Sequence, residues 1–114
     1  MTQLIYHMCP SEAWTAALAA GTYSGTAQDQ ADGFIHFSTK DQIVESARKH
    51  RAGQHSLVLV AVDAERLGDR VKWEEARGGQ LFPHLYGPLD PAESASVRPL
   101  PLGPGGLHVF PELA

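Results

Sequence analysis

A single cysteine, Cys9, excludes an internal disulfide, so the chain depends on its core for stability. No apolar run approaches membrane-spanning length, and the opening Met1-Thr2-Gln3-Leu4 carries neither a charged leader nor a hydrophobic stretch. The expected setting is therefore the cytosol, with no membrane partner. Basic residues are scarce: nine Lys and Arg stand against 13 Asp and Glu, a net charge of −4. That balance lacks the cationic surface that nucleic acid requires. There is no glycine-rich phosphate loop and no Gly-x-Ser-x-Gly elbow, and Gly78-Gly79 and Gly105-Gly106 lack the flanks that would give them meaning. Proline is almost missing from the first 80 residues, which hold one of the eight. Regular structure is expected there, and loops with short edge strands in the last third.

At 114 residues the chain suits one domain with one core, over residues 1–114. Residues 4–8 read as a strand with His7 and Cys9 on one face and Tyr6 and Met8 on the other. Pro10 and Ser11 open a helix to about Ala20, closed by Gly21, with Trp14 on its inner side. Residues 22–32 are polar and read as a loop. A strand through Phe34 to Thr39 follows, then a helix over about 40–51 with Ile43, Val44 and Ala47 inward. The nearly continuous apolar run at 56–62 suits a central strand covered on both faces. Residues 71–75 form a further strand and 97–100 a late one, while 103–114 resemble a loosely attached tail. The order predicts an α+β fold: two helices in the first half on a mixed or mostly antiparallel sheet.

Chemistry concentrates at two places. Alternation through Gly33-Phe34-Ile35-His36-Phe37-Ser38-Thr39 aims His36 and Ser38 the same way, where a strand hands over to a helix. Thr39 and Gln42 have the spacing of a capping box, which gives Thr39 a structural duty and leaves His36 without one. The second place is Phe82-Pro83-His84-Leu85-Tyr86-Gly87-Pro88-Leu89, where His84 and Tyr86 are fixed between prolines, a composition that suits ligand contact. Glu74 and Glu75 are adjacent on a strand, so at most one faces any given pocket. His7, His36 and His84 with Glu75 are the right residue types for zinc, in no compact ligand spacing; a small metal-dependent hydrolase is one alternative. The cluster Arg48, Lys49, His50, Arg51 and His55 falls at a helix C-terminus, where the dipole alone favours positive charge, and His50 and His55 read as solvated.

Tyr6-His7, the Gly33 to Thr39 stretch, Trp73-Glu74-Glu75 and the 82–89 segment together resemble the short bacterial proteins of domain of unknown function family 952, over most of the chain to about Leu100. A more distant resemblance links Tyr6-His7 and Ile35-His36-Phe37-Ser38-Thr39 to the ADP-ribosyltransferase superfamily, which includes the RNA 2′-phosphotransferases. That likeness implies an ADP-ribosyltransferase-like fold and NAD, or an ADP-ribose-type nucleotide, as substrate, with no other cofactor. His7 would bind the adenosine ribose, with His36, Ser38 and Thr39 around the nicotinamide. Glu75 or Glu74 would stabilise charge on the ribose next to nicotinamide. Met8 stands where that superfamily often has glycine. A small nucleotide asks for only one or two cations, which Arg77 or Arg48 could supply. A non-catalytic nucleotide-binding module is the other alternative, and either a monomer or a homodimer fits the sequence.

Overall fold

β1 (Leu4–Pro10) passes directly into α1 (Ser11–Ala20), which ends at Gly21 in the left-handed region. The structure, a computed structural model, describes residues 3–113. There follow α2 (Ala27–Asp32), β2 (Ile35–His36), α3 (Ile43–His50), β3 (Leu57–Asp63), α4 (Ala64–Leu67), β4 (Val71–Glu75), β5 (Leu81–Leu85) and β6 (Ser94–Leu100), with short 3-10 turns between. The fold is α+β, with two three-stranded sheets of order β1-β3-β6 and β2-β5-β4. Every strand pair is antiparallel. No helix among the described residues is long and apolar enough to cross a membrane.

β3 is the middle strand of the first sheet, and its near-continuous apolar sequence follows from cover on both faces. On one side Ile5, Cys9, Val60 and Val62 pack with Trp14 and Ala17 of α1 and with Phe37, Leu85 and Leu89. On the other, Tyr6, Met8, Leu59 and Ala61 pack with Ile43 and Ala47 of α3. Each large side chain buried in these cores contributes about 1.5–3 kcal/mol. Val44, expected inward on α3, is instead exposed.

The two sheets are joined where the chain leaves β2. Tyr6 N–H donates to the Ser38 carbonyl and Ser38 N–H to the Tyr6 carbonyl, both at 2.8 Å. This brings His7 on β1 beside His36 on β2.

Further features differ from the sequence reading, among them the strand expected over Phe34 to Thr39, which is only Ile35–His36. The polar stretch 22–32 holds α2, whose start is a capping box: Thr26 Oγ1 accepts from Asp29 N–H at 3.2 Å, and Asp29 Oδ2 accepts from Thr26 N–H at 2.7 Å. α3 begins at Ile43 because only half of the Thr39 and Gln42 box forms, Thr39 N–H donating to Gln42 Oε1 at 3.0 Å. β5, expected as a loop because of Pro83, is the middle strand of the second sheet. Pro83 is tolerated there because its carbonyl accepts from Phe37 N–H at 3.0 Å, so its missing donor faces the point where β2 ends. The segment after β6, read as loosely attached, packs Phe110 and Leu113 on the second core. His108 Nε2 donates to the Gln54 carbonyl at 2.6 Å, and Gly53 N–H to the Gly106 carbonyl at 2.8 Å.

Candidate functional site

A cavity of about 690 Å³ opens between α2, β2, α3 and the second sheet, within the size range of small-molecule sites. At its floor lies Asp29, on α2 and 2 % exposed. Its Oδ1 accepts from His36 Nδ1–H at 2.5 Å and from His36 N–H at 3.1 Å. With Thr26 N–H on Oδ2, the carboxylate is ringed by donors. Burial opposes its charge, but the His36 hydrogen bond and the backbone N–H groups of Thr26 and His36 outweigh it and bring its pKa down to about 2. The approach also fixes Gly25: at φ +93° a Cβ there would stand 2.6 Å from the Asp29 Cβ.

His7 sits behind this pair, 2 % exposed. A carbonyl can only accept, so the 2.6 Å contact to the His36 carbonyl puts a proton on Nδ1. Nε2 then accepts from the Tyr23 hydroxyl at 2.6 Å. Burial pushes the His7 pKa down and, with Cys9 alongside, the Tyr23 pKa up, so a neutral ring faces a protonated phenol. His7 thereby locks the backbone at His36 from behind, with neither ring nitrogen free for a ligand.

His36 is the accessible member, 39 % exposed at its side chain, with Nε2 facing the cavity at 3.1 Å from Asp32 Oδ2. Both carboxylate contacts are made together only by the doubly protonated ring. Protonated on Nδ1 alone, the ring keeps Asp29 and offers its Nε2 lone pair to the cavity. Phe34 covers the imidazole at a centroid distance of 4.6 Å and stacks on His84 at 4.0 Å, giving the cavity an aromatic wall.

A model of the family described as "Protein of unknown function (DUF952)" matches residues 8–97. The chain belongs to this family. It is also similar, at 47% identity over 93% of both chains and with a TM-score of 0.90, to the crystal structure of protein CC0527 from Caulobacter crescentus. A crystal structure of a double mutant of CC0527 gives 46% identity and a TM-score of 0.90 over the same share of each chain. The solution NMR structure of CC0527 gives 48% and 0.83, over 91% of this chain and 90% of that one. No curated protein matches the chain.

In this DUF952 chain the residues expected at a site divide clearly. His7, His36, Ser38, His84 and Glu75 all line the cavity. Ser38 Oγ is 3.1 Å from Ser46 Oγ of α3, which gives it a partner of its own. Thr39 stays with the start of α3. Glu74 accepts from His84 Nδ1–H at 2.8 Å and from the Tyr86 hydroxyl at 2.7 Å. Those two bonds hold Glu74 below the usual carboxylate range and push the Tyr86 phenol up. Of the adjacent pair, then, Glu75 lines the cavity and Glu74 braces its aromatic wall.

The metal alternative is not met, because His7 has both ring nitrogens engaged. Among the described residues no group of three or more His, Cys, Asp or Glu side chains could hold a metal ion. Cys9 is buried, and burial pushes its thiol up, away from nucleophilic use. Arg48 is paired with Glu45 and does not line the cavity; the Arg77 side chain lies outside the described residues. His50, read as solvated, lines the cavity with Lys49 and Arg51.

The sequence reading passed over Asp29 and assigned Arg51 to the helix dipole alone. Thr26-Ala27-Gln28-Asp29 carried the signal for the first, a capping pattern of Thr with an acid three residues on.

Proposed function

We propose that this cleft binds NAD or an ADP-ribose-type nucleotide, and that His36, held by Asp29, acts on it as the general base of an ADP-ribosyl transfer. The supporting observation is that His36 and Glu75 line one cavity, with His7 fixing the His36 backbone from behind. In this reading the bond between nicotinamide and the ribose C1′ breaks, its electron pair passing to the pyridinium nitrogen, and neutral nicotinamide leaves. Glu75 faces the positive charge left on the ribose. An acceptor hydroxyl attacks C1′, and its proton passes to His36 Nε2. His7 is a positioning residue here and does not touch the ribose. An ADP-ribosyltransferase-like arrangement of the two sheets is part of the same proposal and rests on the resemblance of Tyr6-His7 and the Ile35 to Thr39 stretch, and the lone buried Cys9 suits a cytosolic, reducing setting.

One observation favours a second reading, a nucleotide-binding module without catalysis: Asp32 stands against the nitrogen that would have to act. The two separate by experiment. Calorimetric titration of the wild-type protein with NAD and with ADP-ribose is expected to give saturable binding, and incubation with NAD to release nicotinamide. Binding without release would leave the binding module standing; binding of neither nucleotide would overturn both readings.

A further inference from the structure

Arg51 is the one arginine among the described residues that lines the cavity. It follows directly on α3, half-buried, and no carboxylate among the described residues is ion-paired with it. Its charge nevertheless reaches the cavity floor, where it acts on His7. The backbone holding it is fixed at several points. Arg51 N–H donates to the Ala47 carbonyl, its own carbonyl accepts from Gln54 N–H, and the turn beyond is clamped by the bonds from Gly53 to Gly106 and from His108 to Gln54. The C-terminal segment, besides packing on the second core, thus also fixes the turn that follows Arg51.

Lys49 lines the same cavity, and among the described residues its one ion pair is a 3.7 Å contact to Glu45 between two half-exposed side chains. The carboxylates at the α2 end are already provided for: Asp29 by His36 and Thr26, and Asp32 by His36 and Gln28. The cleft thus offers two permanent cations in its lining together with an aromatic wall of Phe34, His36 and His84. A guanidinium fork matches the oxygens of a phosphate, and a second cation beside it favours a doubly charged group over a carboxylate.

We infer that Arg51, supported by Lys49, is the phosphate anchor of the cleft. Its ligand is a phosphorylated compound whose ring or sugar lies against the Phe34, His36 and His84 wall. The ring or sugar of that ligand, though not the anchor itself, rests on the cleft being a nucleotide-type site.

The test is calorimetric titration with adenosine, AMP and inorganic pyrophosphate of wild type, Arg51→Ala and Arg51→Lys, each checked by thermal melting. Wild type is expected to bind AMP more tightly than adenosine. Arg51→Ala should weaken AMP by about tenfold to a hundredfold, the worth of a hydrogen bond to a charged group, and leave adenosine unchanged. Arg51→Lys, which keeps the charge without the fork, should fall between and serves if the alanine variant does not fold. AMP binding equal to wild type in both variants, with adenosine still bound, overturns the anchor and leaves the nucleotide reading intact. Pyrophosphate binding that depends on Arg51, without adenosine or AMP binding, keeps the anchor and removes the nucleotide reading. No binding of any probe by folded wild type overturns both.

Discussion

Asp29→Ala is expected to lose about 3–5 kcal/mol of folding stability, the cost of removing one partner from a buried charged network. The loss has named sources: the N–H groups of Thr26 and His36 and the His36 ring give up their acceptor together, and α2 gives up its capping box. Asp29→Asn preserves the shape and should cost less, about 1–3 kcal/mol. Acid titration supplies a second readout. The pKa of Asp29 is depressed from the ordinary 3.8 to about 2, so on acidification the unfolded chain takes up this proton before the folded one. The stability involved, roughly 2 kcal/mol, is complete above about pH 4, fades as the pH falls toward 2 and is gone below. Urea denaturation of wild type and Asp29→Asn across that window should show the wild-type slope flattened in the variant. Equal slopes would mean that Asp29 does not carry the buried charge.

His36→Ala is expected to reduce nicotinamide release by about a hundredfold to ten-thousandfold, the usual worth of a positioned general base. Its side chain is over a third exposed, so most of the loss should appear in turnover and not in folding. If the proposed transfer takes place in the cleft, Glu75→Gln should also lower kcat, with little change in KM, because its charge would face one that develops only on the way to the transition state. A His36→Ala variant that melts like wild type and releases nicotinamide at the wild-type rate would remove His36 from the chemistry.

The family was legible in the sequence, since Tyr6-His7, the Gly33 to Thr39 stretch and the 82–89 segment point to it. So were the α+β class and the central place of β3, because a strand covered on both faces must be apolar throughout. His36 could be singled out because its neighbours Ile35 and Phe37 alternate into the core and leave it facing the other way.

What escaped shares a physical cause. Asp29 lies in a polar stretch whose composition says loop, and the helix of six residues there draws on its cap and on His36 more than on propensity. β5 contains a proline that a central strand should exclude, and only the early end of β2 makes room for it. Arg51 was indistinguishable from a helix-terminal charge until α3 and the cavity were seen together. Glu74 and Glu75 were equivalent by type, and the partners that separate them, His84 and Tyr86, belong to another strand and the turn after it.

The most direct measurement is a two-dimensional amide and imidazole NMR titration of the wild-type protein with ADP-ribose. If the cleft is the ligand site, saturable shifts will appear at Phe34, His36, His84, Arg51 and Glu75, and the outer face of β6 around Val97 will stay unmoved. Shifts confined to that outer face, or none at all, would contradict it.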